Sequence, residues 1–467
     1  MAKKPVLSRL NATTFDILNT IRNNLSPQYR ERIPEIHSEK ELPAVGDVLY
    51  GAPNLLEEMY GELAGRIIFV NIQNMIYSNG LKRLKKGMLL TGETIEQVFT
   101  EIVDAHNWYN DQSIAERELG EEKGKIETCF LPMNYQTFYK RTMSGSQIRS
   151  AFTSLAGVQD LIMSLSRSLY TAAETDEWYL FKYLIIKSVN KGLMRPVNAG
   201  STPEENVIAF REYSNRLTFP SRDFNEAGVL TATPVDKQAI FMSAHDEAVY
   251  DVTILSEAFH MEKADYLDRS YRIDSFTEFD NSRFDQFRAE GGQMPEVTAE
   301  ELATMASVKA ILCDEEWFQV YDKLFTLTTK SIESKLAFNN FLHVWKIIGH
   351  NPFANAVVFL DSSASTALPS TITATVVGVD KSEVSTAVSI EIDDANVVNS
   401  GAPQFVQTVE AAEAGVGVHP YGGYLIPTGA DAVTPELKLR GDVTYVAATT
   451  LDEDVTVGTQ FTFAPAD

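Results

Sequence analysis

Apolar residues recur at helical spacing most persistently in the middle of the chain. From Ser144, Ile148, Ala151, Phe152, Leu155, Val158, Leu161, Ile162, Leu165 and Leu169 form one stripe with a 3.6-residue repeat. A second stretch, EWYLFKYLIIKSV from Glu177 to Val189, has Thr175 as a candidate cap and Gly192 as a stop. Joined end to end, the two predict an element of about 40 residues, roughly 60 Å at 1.5 Å per residue. Such a spine spans a molecule instead of filling one core.

The remaining pattern divides around that spine. TTFDILNTIRNNL predicts an amphipathic helix with Phe15, Leu18, Ile21 and Leu25 on one side and Thr13 or Thr14 as cap. SPQYRERIPEIHSEKELP reads as extended, and NLLEEMYGELAGRIIFVNIQNMIYSNG as a helix running into a strand. Leu81 to Arg141 offers no compact apolar face. Its basic limb KRLKK, polar middle and alternating return KIETCFLPMNYQTFYKR predict a long hairpin. A two-stranded hairpin is marginal in water, so this arm needs support from outside its own domain, most simply from another subunit. Residues 195–335 alternate helical and strand-like patches. His343 and His350 then flank a predicted helix rich in Phe, Trp and Ile, before a closing strand at ANAVVFL.

Beyond Asp361 the pattern changes to period two. TITATVV, STAVSIEID, DVTYVAATT and DVTVGTQFTF alternate Thr and Val between turn residues, which predicts a small β-sandwich after a linker at DSSASTALPS. This tail holds Lys381, Lys438 and Arg440 as its three cations against fifteen acids, a net of −12 in 107 residues.

Charge now sharpens the picture. The whole chain carries −24, which argues against nucleic acid as a directly gripped partner, because phosphate binding needs clustered, uncompensated cations. Against that background Lys82, Arg83, Lys85 and Lys86 place four cations in five positions. A solvated loop, a nucleic-acid contact and an arm reaching for an acidic neighbour compete to explain them. The hairpin's middle supplies acids at Asp104, Asp111, Glu116, Glu118, Glu121 and Glu122. No run of eighteen apolar residues predicts a membrane span, and the N-terminus lacks the apolar core of a secretory signal, so a cytoplasmic site of synthesis is expected. Cys129 and Cys313 form no zinc or redox spacing and read as packed thiols of a reducing compartment.

Candidate chemistry is thin. His245 stands beside Asp246 and Glu247, with His260 following, but HExxH is absent and the spacing fits no zinc pattern. GxSxG, a Walker A loop and GxGxxG are absent as well. DDANVVNSG, Asp393 to Gly401, approaches a calcium loop without its alternating oxygens or closing Glu. No catalytic, cofactor-binding or metal-binding residue is assigned, and the chain reads as a building material instead of an enzyme.

Several ordered blocks nevertheless resemble a known family: FDILNTIRNN, LKRLKKG with TGETIEQVFTEI, YTAAETDEWYLFK, VTILSEAFHM, DEEWFQVYDKLF, and FLHVWKII with FANAVVFL. Together, over residues 10–360, they resemble major capsid proteins of phi twenty-nine-like short-tailed phages, within the Hong Kong 97 capsid-fold superfamily. The resemblance implies an α+β fold with an N-terminal arm and lead-in at 1–80, an E-loop at 81–141 and a peripheral (P) domain spine at 142–193. It further implies an axial (A) domain at 194–337, a P domain closing segment at 338–360 and an immunoglobulin-like β-domain at 361–467.

The function it implies is a head protein whose hexamers and pentamers close into an icosahedral or prolate shell around double-stranded DNA, held without sequence-specific contacts. Its partners would be a portal protein, a possible head fibre or decoration protein, and a separate scaffolding protein, since only about 80 residues precede the arm. It would lie in the virion, after assembly in the host cytoplasm, with no membrane and no cofactor. In such a shell Lys82, Arg83, Lys85, Lys86, Glu116, Glu118, Glu121 and Glu122 become inter-subunit contacts of the E-loop. Covalent cross-linking, known in the superfamily, would need an arm lysine such as Lys85 or Lys86 to meet an asparagine, and is not expected. The rival readings are an encapsulin-like compartment and an α+β enzyme of another family.

Overall fold

The computed structural model describes residues 14–52, 54–55, 58–59, 62, 79–89, 92, 94–103, 105, 126–144, 147, 155–257, 270–332, 337–361, 369–383, 385–392, 398–399, 402–409, 418–419, 423–427, 432–439 and 443–466. The fold is α+β. It opens with three helices, α1 (Thr14–Asn24), α2 (Pro27–Arg32) and α3 (Leu42–Gly51). The stretch expected to be extended therefore holds α2. Ser26 caps it by accepting from the Tyr29 N–H, Pro27 takes the first turn where no N–H is needed, and Tyr29, Ile33 and Ile36 are buried. Charged residues around those three positions mask the apolar face.

Strand β1 (Gly87–Met88) follows, then β2 (Thr94–Thr100) and β3 (Ile126–Pro132), which pair antiparallel with each other as a separate ribbon. Strand β4 (Tyr135–Ser144) leads to the spine helix α4 (Leu155–Asn190), 36 residues or about 54 Å long. The two predicted helices are one. Thr175, expected as a cap, lies inside α4, its hydroxyl satisfied by the Thr171 carbonyl at 2.8 Å, so it marks no break. The helix stops as predicted at Gly192, whose φ of +69° is left-handed. There Gly192 N–H bonds Val189 O and Leu193 N–H bonds Ser188 O, at 3.1 and 3.0 Å, closing the last carbonyls.

Two sheets flank the spine. The first has the order β1-β9-β10-β4, where β9 is Phe318–Ile332 and β10 is Ala337–His350. The helix expected between His343 and His350 is thus a strand. Its true period is two: Phe338, Leu342 and Val344 are buried towards the spine, while Phe341, His343 and Trp345 lie on the other face. Aromatics on that second face hid the alternation, since both faces read as apolar.

The second sheet has five strands: β5 (Arg195–Gly200), β6 (Gln238–Ser243), β7 (Ser270–Ile273), β8 (Val308–Asp314) and β11 (Ala356–Asp361), in the order β5-β11-β8-β6-β7. Helix α5 (Pro203–Arg216), with a complete Thr202/Glu205 capping box, packs on β5, and α6 (Ala244–Glu257) follows β6. Residues 338–360 therefore supply a strand to each sheet. Spine residues Phe181, Ile185, Ile186 and Val189 share one core with Phe241, Trp317 and Phe318. Spine residues Leu169 and Ala173 share another with α1–α3 and β10.

The tail folds as β12 (Ile372–Lys381), β13 (Ser385–Ile392), a short pair β14 (Val398–Asn399) and β15 (Ala402–Pro403), then β16 (Val406–Val409), β17 (Val418–His419), β18 (Gly423–Pro427), β19 (Glu436–Leu439), β20 (Val443–Ala447) and β21 (Gln460–Pro465). Eight of these form one sheet, β16-β19-β20-β21-β12-β13-β18-β17, whose end strands approach each other. The sheet wraps a single core of Ile372, Val376, Val388, Leu437, Tyr445 and Phe463.

Candidate assembly interface

The basic clump sits at the foot of the ribbon. Gly80–Leu84 forms a 3₁₀ turn, capped by Asn79, that buries Leu81 and Leu84 against the spine core and turns Lys82 and Arg83 outward. Each cation then finds a partner in its own chain. Lys82 pairs with Glu174 of α4 at 2.5 Å, and the Arg83 guanidinium stands 5.9 Å above the Tyr271 ring. Lys86 reaches Glu316 at 2.9 Å and donates to the Glu315 carbonyl at 3.1 Å.

Lys85 belongs to a closed ring of four charges. It lies 2.8 Å from Glu177 and 2.5 Å from Asp322, and Lys346 of β10 lies 2.5 Å from each of the same two acids. Both Lys346 and Glu177 keep 5% of their side-chain surface or less exposed. A register shift at this step skips Lys323 of β9 and brings Asp322 round to the spine side, opposite Lys346, which already faces the spine with Leu342 and Val344. Asn79 adds a donor to Glu177 at 3.1 Å. Burial pushes the Glu177 and Asp322 carboxyls up, but Lys346 and Lys85 outweigh it and hold both below the ordinary range. Burial pulls Lys85 down, and Glu177 with Asp322 more than restores it. The ring ties the ribbon's foot, the spine and two strands together.

The ribbon's support likewise begins at home. Ile95, Phe99, Cys129 and Leu131 line its inner face and pack on Val229, Ile347 and Phe353, with the Phe99 and Phe353 rings stacked 5.5 Å apart. Gly349 on β10 makes this approach possible, because a Cβ there would stand 2.7 Å from Leu131 Cδ2. Arg222 pairs with Glu101 at the ribbon's side. The arm needs support from outside its own domain, expected most simply from another subunit, and at its base that support comes from Val229, Ile347 and Phe353 of its own chain. Its outer face is different. Val98, Ile126 and Phe130 are exposed there, and Ile102 and Val103 beyond β2 are 64% and 79% exposed. Glu116, Glu118, Glu121 and Glu122 lie outside the described residues.

Among the described residues the histidines assemble no site. His245 is exposed on α6, whose start is capped by Ser243 through the Asp246 N–H at 3.0 Å, and Glu247 pairs with Arg272. His260 lies outside the described residues, as do Asp393 and Asp394. His350 bonds Glu226 at 2.7 Å and stacks on Trp317, and His343 meets the Thr328 hydroxyl at 3.1 Å. Cys129 and Cys313 are buried, and burial raises the Cys313 thiol. Among the described residues no cluster of His, Cys, Asp and Glu fits a metal ion, and no helix is long and apolar enough to cross a membrane.

Sequence reasoning missed the acids and the lysine that complete the ring. The signal was present: a lone lysine inside the apolar run FLHVWKII, and an acidic pair, Asp176–Glu177, inside an apolar helix, both announce buried pairing.

Comparison with known proteins was made against this geometry. Residues 18–360 match the model for the Phi29-like phage major capsid protein. The major capsid protein of Bacillus phage GA-1 is 29% identical over 360 residues, covering 75% of this chain and 70% of its own. That of Bacillus phage PZA is 28% identical over 356 residues, covering 74% and 73%. Among solved structures, the capsid of Staphylococcus phage Andhra aligns at 13% identity over 63% of this chain and 87% of its own, with a TM-score of 0.49.

Proposed function

Because the chain belongs to the Phi29-like phage major capsid protein family and is a capsid protein of the virion, we propose that it closes into a shell of hexamers and pentamers around packaged double-stranded DNA. The observation that carries the mode of assembly is the ribbon itself. Its inner face is spent on its own chain, while Val98, Ile126 and Phe130 present an outer apolar face that a neighbouring subunit covers. The four cations stiffen the ribbon's foot, and Lys82 and Arg83 at its surface add orientation more than adhesion, since exposed pairs contribute about 0–1 kcal/mol each.

Individual contacts are modest, and closure makes their sum strong. Weak single contacts let misplaced subunits leave before the shell closes. The net charge of −24 keeps the finished shell soluble and limits sticking to DNA. Assembly takes place in the host cytoplasm with a scaffolding protein supplied in trans, and a portal replaces one pentamer.

Co-expression with the cognate scaffold, followed by negative-stain electron microscopy, tests this reading. Closed shells are expected. A monodisperse monomer under those conditions refutes it, and internal foreign enzyme in place of DNA favours a cargo compartment.

A further inference from the structure

One edge of the first sheet has no neighbouring strand. The order β1-β9-β10-β4 makes β4 terminal, so half of its backbone N–H and C=O groups point away from β10. A groove of about 1130 Å³ follows that edge. Every residue from Met133 to Arg141 lines it, whichever face of the strand it belongs to, so the near wall is the strand's rim. Ser168, Leu169 and Ala172 of α4 lie along the floor. The far wall is a 3₁₀ turn (Asn281–Phe284) running into a short helix (Asp285–Ala289) and the bend at Gly291 and Gly292.

The groove is held open by its own bonds. Asp176 of α4 accepts from Arg283 of the far wall at 2.5 Å and from the Tyr139 hydroxyl of the near wall at 2.7 Å. The Phe287 and Tyr135 rings meet 5.1 Å apart and bridge the two walls at one end. Gly292 allows the bend to close there, because a Cβ would overlap the Phe287 ring. Towards Arg141, the floor residue Leu169 also belongs to the core that α1 joins.

We propose that residues 1–13, which precede α1, add to β4 as a further strand in this groove. The reach fits: Met133–Arg141 covers ~30 Å, and thirteen extended residues span ~43 Å. The pattern fits as well. In AKKPVLSRL, Val6, Ser8 and Leu10 alternate with Leu7 and Arg9, a period of two that lays Val6 and Leu10 on the floor. Pro5 falls at the first position, where a strand tolerates it. Joining α1 from the Arg141 end sets the strand parallel to β4 and carries Lys3 and Lys4 to the Phe287 end, where Glu290 stands on the rim. Glu290 accepts from the Gln286 amide at 2.5 Å and, among the described residues, meets no lysine or arginine. The charges at that end are therefore complementary. The acidic arm of a second copy is the weaker occupant, since it would bring carboxylates to Glu290. Seated in the groove, the segment closes an edge that otherwise recruits foreign strands.

Unassembled full-length subunits test the assignment. Equal parts of unlabelled and heavy-nitrogen-labelled protein are mixed, treated with a zero-length carbodiimide, digested and mass-analysed. Amides joining Lys3 or Lys4 to Glu290, in peptides of one label, are expected. Amides of mixed label seat the segment on a second copy and overturn the proposal, as does the lack of any amide between these residues.

Hydrogen exchange supplies a second measurement. Leu7→Pro with Ser8→Pro removes an N–H from each side of the added strand and should speed exchange across Tyr135–Ser144 about tenfold, with the α4 amides unchanged. Leu7→Val with Ser8→Thr should alter neither. Equal exchange in all three chains overturns the proposal. Faster exchange in α4 as well overturns it too, because the segment would then support the whole fold and not one edge. Both measurements read the single subunit, so shell formation is a separate result.

Discussion

Lys346 decides more than its size suggests. With Lys85 it neutralises Glu177 and Asp322 where water is scarce, so its removal leaves two carboxylates sharing one ammonium. Lys346→Ala is expected to destabilise the folded chain by about 3–5 kcal/mol, read as a lower denaturant midpoint, since breaking a buried pair leaves an uncompensated charge. Lys82→Ala removes a half-exposed partner and should cost no more than about 1 kcal/mol in the same assay. The ring also sets a pH window. Glu177 and Asp322 titrate below their ordinary values, so their contribution is complete above the unfolded-state values near ~4 and is lost as pH falls through the lower folded ones. Lys85 titrates above its ordinary value, so its share is complete below ~10.4 and is lost as pH rises further. Chemical denaturation from pH 3 to 11 should give a plateau between those limits. Lys346→Met should flatten its acid edge.

At the level of elements, the ribbon has two faces with different duties, and substitutions separate them. Phe99→Ala opens the stack on Phe353 and should lower the monomer's stability by about 2 kcal/mol or more. Phe130→Asp changes a half-exposed ring on the outer face and should abolish particles in the microscope while far-ultraviolet circular dichroism shows the fold retained. If Phe130→Asp subunits still close into shells, the outer face is not the contact. The elements also show what a sequence discloses. The spine was legible because one apolar stripe runs its length, and the tail because Thr and Val alternate there without competing signals. Strand β10 was not, because aromatics fill both of its faces, and α2 was hidden by the charges between Tyr29, Ile33 and Ile36. The clump was legible as a cluster, but its partners come from residues 92 (Lys82 to Glu174) to 237 (Lys85 to Asp322) positions away, a distance no local pattern spans.

For the whole molecule, adhesion without covalent joining is the expected design. Lys85 is locked in the charge ring and Lys86 on Glu316, so neither is free to attack an asparagine. Mature particles boiled in denaturant should run as a single band at 51.9 kDa. A ladder of multiples would show that some other lysine has been recruited. The family match ends at residue 360, and the acidic tail follows it.

The spine's last turn has a mechanical sequel. The Gly192 carbonyl accepts the Val406 N–H at 2.9 Å, so the tail is fastened to the far end of α4 as well as through the peptide that follows β11. A fluorophore carried on that sheet near Val406 would report whether the tail stays docked on the end of the spine in an intact head.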